Sequence, residues 1–494
     1  MALLGTQLVI TLVMVSIIQK LGPHFSLARW ILCSTGLVRY LYPTDDELRA
    51  LAGVPKDKHK GKKGSRNVEN GKTYIFHCIE PYDDIKLETA KVTAQDVIHL
   101  KFYTEYQWLL DFALYSSLVY ILTEIYQAVS PPKDEVNLSM LWCFLVVMFS
   151  VKLLVSLTLQ YFESQESVGE RSTVIVTAFA YLLVAMMVLI VDENTLELGL
   201  NKAYTSFNQS AAAFLETQGI DSSGPASKLV LKFCLAVWCA LVGALFTFPG
   251  LRMAKMHWDS LRYCSENRLQ RILLNISFAS PFLLVLLWVK PVSRDYLTNR
   301  IFHGMMAPLM TEHAFDTMRL ILIVSAVLLR LALMPIYLQA YLNMAYYRVE
   351  AQKKEAGRIT NMEFQKKIAA VFYYLCVVTL QYVAPGILCL YLTFMYKTLG
   401  NYSWAGLFSD AVAEECSVSS QPAAGDFVPL PSLGGEESIR QSAQQFTLAL
   451  DSLKQVFTVD VYRGLFGFAT WWSCFAWFAT SSLGMVYQSY FSRV

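Results

Sequence analysis

The chain has 494 residues, of which 55% are hydrophobic and 16% are charged, and its formal net charge is +2. A soluble protein usually carries about 25% charged residues, so this composition excludes an ordinary soluble domain and indicates an integral membrane protein. The small net charge gives no overall field that would favour nucleic acid as a partner.

Apolar runs of about 20 residues, the length that a bilayer requires, are the main feature of the chain. They predict an all-α polytopic membrane protein with about nine transmembrane helices and additional cytosolic interfacial and stalk helices. We expect the first run to be a retained anchor, because residues 1–19 contain no Lys or Arg and no signal cleavage site follows. The predicted spans cover residues 2–19, 107–129, 138–162, 172–191, 229–249, 270–290, 317–340, 369–397 and 462–489.

Basic residues fix the predicted orientation of these spans. Loop 250–271 contains five Lys or Arg residues and loop 341–368 contains six, whereas the alternate loops contain few. The positive-inside rule therefore predicts that these two loops are cytosolic. Glycosylation sequons at Asn208 and Asn401 fall in loops predicted on the opposite side. We expect an outside or lumenal N-terminus and a cytosolic C-terminus, in either the plasma membrane or the endoplasmic reticulum.

This orientation divides the chain into five segments. They are an anchor (1–19), a cytosolic segment (20–106), the main membrane helix bundle (107–398), a lumenal or extracellular and partly disordered loop (399–461), and the last span with a short tail (462–494).

The cytosolic segment contains three local patterns. Residues 27–42 are apolar but carry two arginines, which predicts an interfacial helix. A capping box begins at Thr44, and it predicts a short helix over residues 45–52. The basic run from Lys56 to Arg66 is either a solvated stretch or a contact with anionic lipid headgroups.

A helical stalk is predicted beyond span seven. The helix should continue to about Glu355 and stop at Gly357, and a capping box at Thr360 should start the helix that leads into span eight. This pattern predicts an αα-hairpin outside the membrane, either solvated or bound to a partner.

Ionisable side chains inside the predicted spans are costly in hydrocarbon and are the strongest candidates for a site. Matched depth predicts that Glu124 pairs with Arg319 and that Asp111 pairs with Lys152 or Arg330. Two interpretations stay open: the pairs fix which helices pack together, or they line a polar path or gate.

Span eight carries Pro385 and Gly386 in its middle. Proline removes a backbone N–H and kinks helices, so we predict a helix break here, of the kind that flanks transport sites or that only bends a packed bundle. Metal and cofactor sites are not expected. The cysteines have no ligand spacing, and His303 and His313 share only a loop.

Several longer stretches resemble the transmembrane protein 161 family, nearest its B-type member. They include EYQWLLDF (105–112), LFTFPGLRMAKMH (245–257), LQYVAPG (380–386) and KTLGNYSW (397–404). The resemblance runs from Met1 to the span that contains Thr470 to Trp472. It implies a multi-pass protein linked to the control of cation currents or to stress responses, and it brings no catalytic site.

The expected function is therefore non-catalytic regulation of cation homeostasis or of calcium and potassium currents, through channel or pump partners or through the state of the membrane. The alternative is a transporter or channel with its own conduction path. A membrane-embedded enzyme is a third reading, although no familiar catalytic motif is present in the sequence.

Overall fold

The computed structural model describes residues 6–22, 24–44, 75–77, 87–129, 137–163, 168–217, 227–264, 266–301, 303, 308–354, 358–407 and 456–491. Its helices are α1 (Thr6–Leu21), α2 (Leu27–Cys33), α3 (Ala94–Ile98), α4 (Tyr103–Val129), α5 (Ser139–Glu163), α6 (Val168–Ile190), α7 (Leu200–Thr217), α8 (Lys228–Tyr263), α9 (Arg268–Leu286), α10 (Glu312–Lys354), α11 (Asn361–Tyr373), α12 (Leu375–Leu399) and α13 (Val459–Phe491). A single π-helical turn covers Asp295–Asn299.

The helical class of the protein is as predicted, and every predicted span falls on a helix or a helix pair. Within the described ranges, seven helices are long and apolar enough to cross a membrane: α4, α5, α6, α8, α9, α10 and the α11–α12 pair. Of the other two predicted spans, α1 has only 16 residues, and α13 has 33 residues but is not among the seven. The count of nine is therefore not confirmed.

Two helices differ from the predicted spans in ways that matter for the site. Helix α10 runs for 43 residues from Glu312 to Lys354, so the predicted stalk is present as a continuation of the membrane helix. The predicted eighth span is divided at Tyr374, where the backbone (φ −91°, ψ 9°) leaves the helical region between α11 and α12.

Helix α12 occupies the centre of the bundle. All its residues from Leu375 to Lys397 are buried, and it contacts α4, α5, α8, α10 and α13. Lipid tails are as apolar as leucine side chains, so packing and hydrogen bonds rather than the hydrophobic effect must hold such a helix in place. Its tyrosines provide these bonds: Tyr382 donates to the carbonyl of Arg330 at 2.6 Å, and Tyr391 contacts the hydroxyl of Ser117 at 2.8 Å.

Helix α13 packs on α8 through small residues. A Cβ atom added at Gly250 would lie 2.2 Å from Oγ1 of Thr480, and one added at Gly484 would lie 2.7 Å from Cβ of Ala254. Small residues at such crossings let two backbones approach closely, which is a common way for membrane helices to associate.

The two ends of the bundle are distinct, and we name them by their residues. The basic end holds the C-terminal parts of α8 and α10, where Lys255 lies within electrostatic reach of Arg348. The sequon end is the opposite one, and it holds Asn208 on α7 and Asn401 after α12.

Both sequons lie near the start of α13. Ser206 of α7 hydrogen-bonds to Thr458 at 2.6 Å, and Nε of Arg463 donates to the carbonyl of Gly400 at 2.6 Å. The two sequons are therefore at the same end of the bundle, as the predicted topology requires.

Two short antiparallel sheets lie at the basic end and were not predicted. Strand β1 (Val38–Tyr40) pairs with β3 (Thr89–Lys91), and β2 (Ile75–His77) pairs with β4 (Arg358–Thr360). The prediction of one interfacial helix over 27–42 is thus wrong in its second half, because the backbone of Val38 instead hydrogen-bonds to Gln339 of α10.

Three predictions concern residues outside the described ranges. They are the helix over 45–52, the basic run from Lys56 to Arg66, and the disordered part of the loop that contains residues 410–440.

Candidate functional site

Glu124 lies near the sequon end of α4, and its partner is Lys397 of α12. The Lys397 ammonium forms an ion pair with one carboxylate oxygen, and Thr398 donates a hydrogen bond of 3.1 Å to the other. The predicted pairing of Glu124 with Arg319 is therefore wrong. Glu124 and Arg319 do lie at the same level of the bundle, since they contact the consecutive residues Lys397 and Tyr396. Helix α12 contacts both α4 and α10, and it supplies its own lysine to Glu124.

Asp111, near the basic end of α4, binds backbone rather than a basic side chain. Its Oδ1 atom accepts a hydrogen bond of 3.2 Å from the N–H of Ala28, in the first turn of α2. Unpaired N–H groups at a helix N-terminus favour a carboxylate. The predicted pairing of Asp111 with Lys152 or Arg330 is therefore wrong, and this carboxylate fixes α2 against the bundle.

Two lysines in the spans have different surroundings. Lys152 is exposed on the surface of α5, where its long side chain can reach toward an interface. Lys232 of α8 donates a 2.6 Å hydrogen bond to the carbonyl of Leu189, in the last turn of α6. A cation is favourable at the C-terminal end of a helix.

Arg319 is 1% exposed and belongs to a charged network at the sequon end. Its guanidinium donates to Asp316 and to the hydroxyl of Tyr396, both at 3.0 Å, and lies 4.7 Å from the ring centroid of Trp288. Glu197 is 3.9 Å away, which is too far for a direct hydrogen bond.

Arg294 extends this network toward the surface. It pairs with Glu197 and with Glu312, the latter at 2.9 Å. Burial opposes the charged form of Arg294, but Glu197, Asp316 and Glu312 outweigh that effect and raise its pKa above the usual arginine value. The loop pairing that brings Glu197 here joins Leu196 to Val289 as a single antiparallel bridge.

The network borders a cavity of about 1010 Å³ that opens at the sequon end. Its lining mixes charges of both signs. The lining contains the acidic residues Glu193, Glu197, Asp295, Glu312, Asp316 and Asp460 and the basic residues Lys202, Lys290, Arg294 and Arg463. Tyr396 also lines the cavity and contacts Arg319, so the cavity reaches the buried network.

Arg330 lies deep in the bundle and is 4% exposed. Its guanidinium carbon is 4.2 Å from the ring centroid of Trp477 and 4.8 Å from that of Tyr382. As predicted, Arg319 and Arg330 share a face of α10, because both contact tyrosines of α12. No carboxylate in the described ranges forms an ion pair with Arg330, and its Nε atom is buried without a hydrogen-bond partner.

The balance of energies at Arg330 can be estimated. A charged side chain at the centre of a bilayer costs about 2.5–3.5 kcal/mol on insertion scales and more in simulations. A desolvated cation–π contact contributes about 2 kcal/mol. The two rings therefore offset much of the cost, but the buried Nε–H group of Arg330 stays unpaired.

Pro385 and Gly386 do not break the central helix. Helix α12 is continuous from Leu375 to Leu399, and the discontinuity is at Tyr374 instead. The predicted break is therefore wrong. Proline is tolerated within a membrane helix where neighbouring helices surround it, as they surround α12. One turn earlier, Gln381 donates to the hydroxyl of Tyr161 at 3.1 Å.

The two predicted glycosylation sites differ in accessibility. Asn401 is exposed in the turn after α12 and has a φ of 54°. Asn208 is half-buried on α7, and its side-chain oxygen is buried.

No metal site is apparent among the described residues, where no group of three His, Cys, Asp or Glu side chains is suited to an ion. The eight cysteines within these ranges are free. His303 is exposed, and His313 lines the cavity at the sequon end.

Several site residues were missed from the sequence. Lys397 ends the predicted eighth span at the depth of Glu124, and that match was an available signal. Tyr382 and Trp477 gave no signal, because aromatic residues are common in apolar spans. Glu197 also gave no signal, because only the pairing of two loops brings it to Arg294.

The helices, their lengths and their buried polar contacts define a multi-pass α-helical membrane protein that contacts the lipid bilayer. A family model described as "Predicted transmembrane protein 161AB" matches residues 2–492. The chain therefore belongs to the transmembrane protein 161 family. No solved structure matches it.

Proposed function

We propose that this protein is a non-catalytic regulator of cation homeostasis or of calcium and potassium currents, and that it acts through channel or pump partners or through the state of the membrane. One observation carries the proposal: the charged side chains of Asp111, Glu124, Lys232 and Arg319 each bind a group on another helix and so hold helices together. Charges used in this way stabilise a scaffold and are not free to carry ions.

The central helix supports the same proposal. Residues 375–397 are buried on all sides and fill the middle of the bundle with apolar and tyrosine side chains. A conduction path along the bundle axis would need this helix to move or unwind.

We further propose that the basic end faces the cytosol. In that orientation the stalk of α10 extends into the cytosol and offers exposed side chains, including Tyr346 and Tyr347, to a channel or pump partner. The basic run from Lys56 to Arg66 would lie on the same side, where anionic lipid headgroups attract basic residues.

The alternative is a transporter or channel with its own polar path. The cavity of about 1010 Å³ at the sequon end and the buried, unpaired Nε–H group of Arg330 favour it. Unpaired charge at depth is the usual mark of a pathway in membrane proteins.

Reconstitution in liposomes distinguishes a regulator from a transporter or channel. We expect purified protein in liposomes to show no potassium or calcium flux above that of empty liposomes. In cells, its removal should change endogenous cation currents, and the wild-type chain should restore them. Intrinsic flux that Arg330→Gln abolishes and Lys152→Gln leaves unchanged would replace the proposal with the alternative.

Anionic lipid contact has its own test. The full chain in nanodiscs should recruit anionic lipid in preference to neutral lipid, and replacement of the basic residues between Lys56 and Arg66 by glutamine should reduce this preference. The effect should weaken at high salt, because the Debye length is about 10 Å at 0.1 M. An unchanged lipid preference in the variant would contradict the contact.

A further inference from the structure

The surroundings of Arg330 contain hydrogen-bond donors without acceptors. Its Nε–H group is buried and unpaired, and the same is true of the indole N–H of Trp477, whose ring lies against the guanidinium. Ser481 follows Trp477 by four residues, which places it on the same face of α13, and its hydroxyl is also buried without a partner. These groups come from two helices, α10 and α13.

The buried donors are accompanied by a positive charge that nothing nearby in the described part of the chain balances. Arginine does not lose its proton in proteins, so the guanidinium stays positive at depth. Within the ranges that the structure describes, no carboxylate compensates it. The hydroxyl of Tyr382 is already used as a donor to the backbone carbonyl of Arg330.

The shape of the contacts limits what can compensate the charge. The guanidinium carbon lies over the rings of Tyr382 and Trp477, 4.8 Å and 4.2 Å from their centroids, and neither side chain accepts a hydrogen bond from the Nε–H group. Arg330 is 4% exposed, and a lipid phosphate therefore cannot reach it from the membrane. A small ion can be surrounded by several N–H and O–H donors at once.

We propose that Arg330, Trp477 and Ser481 form a binding site for a small monovalent inorganic anion, with chloride as the probe. The guanidinium supplies the charge and edge N–H donors, and Trp477 and Ser481 supply neutral donors from α13. Tyr382 covers one face of the guanidinium. The bound anion joins α10 to α13, so its presence stabilises the helix bundle. This site stands apart from the proposed regulation of currents, which could fail without affecting it.

Thermal unfolding of the purified full-length protein tests the site. Chloride is titrated against gluconate at constant ionic strength. We expect a saturable rise in the melting temperature with chloride or bromide, and saturable quenching of tryptophan fluorescence by iodide. Arg330→Gln should abolish both responses, and Lys152→Gln, which removes an exposed lysine from a neighbouring span, should leave them unchanged.

Trp477→Phe separates the indole donor from ring stacking. It keeps an aromatic face beside the guanidinium and removes one N–H donor, so chloride affinity should fall about tenfold, the typical effect of losing a hydrogen bond to a charged group. If Arg330→Gln does not fold, the titration of the wild type and the Trp477→Phe variant decides.

Two results would overturn the proposal. One is a melting temperature that is the same in chloride and gluconate. The other is a halide response of equal size and midpoint in the wild type and in Arg330→Gln or Trp477→Phe, which would show that the anion binds elsewhere or acts only by screening.

Discussion

Glu124 of α4 and Lys397 of α12 form an ion pair between a peripheral helix and the central helix. Tyr396, the residue before Lys397, turns to α10 and binds Arg319 at 3.0 Å. Two consecutive residues of α12 thus hold two different helices at the same depth.

The Glu124–Lys397 pair should behave as a coupled unit. Glu124→Gln and Lys397→Gln should each lower the free energy of unfolding by about 1–3 kcal/mol. This is below the value for a fully buried pair, because the side chains of Lys397 and Glu124 keep 11% and 17% of their surface exposed. The double variant should recover much of the loss in a thermal stability assay. In a control cycle that combines Glu124→Gln with Arg319→Gln, the two losses in the free energy of unfolding should add. Additivity in the first cycle, or coupling in the second, would contradict the observed pairing.

Asp111 should act as a helix cap. Asp111→Ala removes the acceptor for the N–H of Ala28 and should destabilise the docking of α2 by about 1 kcal/mol, the usual cost of a lost cap. Limited trypsin digestion at Arg29 measures this as faster cleavage. Asp111→Asn keeps an acceptor oxygen and should remain close to wild type. Equal cleavage rates for Asp111→Ala and wild type would argue against the cap.

Gly250 and Gly386 form a matched pair for a packing test. Gly250→Ala places a Cβ 2.2 Å from Thr480 and should push α8 and α13 apart, lowering the free energy of unfolding by about 1–3 kcal/mol, as overpacking typically does. Gly386→Ala meets only Val327 Cγ1 at 3.7 Å and should be tolerated. Melting temperatures in the reverse order would show that the α8–α13 crossing is looser than described.

Glycosylation should favour Asn401 over Asn208. Asn401 is exposed in a turn, whereas Asn208 is half-buried on a helix with its side-chain oxygen inaccessible. Asn401→Gln should abolish the increase in apparent mass on a gel that a glycan causes, and Asn208→Gln should not.

The proposed orientation has a separate test. A C-terminal tag should be accessible to antibody only after permeabilisation of the cells. Surface labelling of that tag on intact cells would reverse the proposed orientation.

The sequence alone determined the class of protein and the position of the seven helices that, within the described ranges, are long and apolar enough to cross a membrane. Hydropathy depends only on the order of residues along the chain, so it needs no knowledge of neighbouring helices. The stalk of α10 and the common face of Arg319 and Arg330 could also be predicted, because helical periodicity is local.

Which group each charged side chain binds was decided only by the tertiary structure. Depth places Glu124 level with Arg319, but it says nothing about the direction in which each side chain points or which helix lies between them. Helix α12 takes the central place because its tyrosines and Lys397 bond to the helices around it. Asp111 likewise accepts a hydrogen bond from a backbone N–H in a helix, at Ala28, which lies 83 residues earlier in the chain. Such choices depend on packing between distant segments, which no single span encodes.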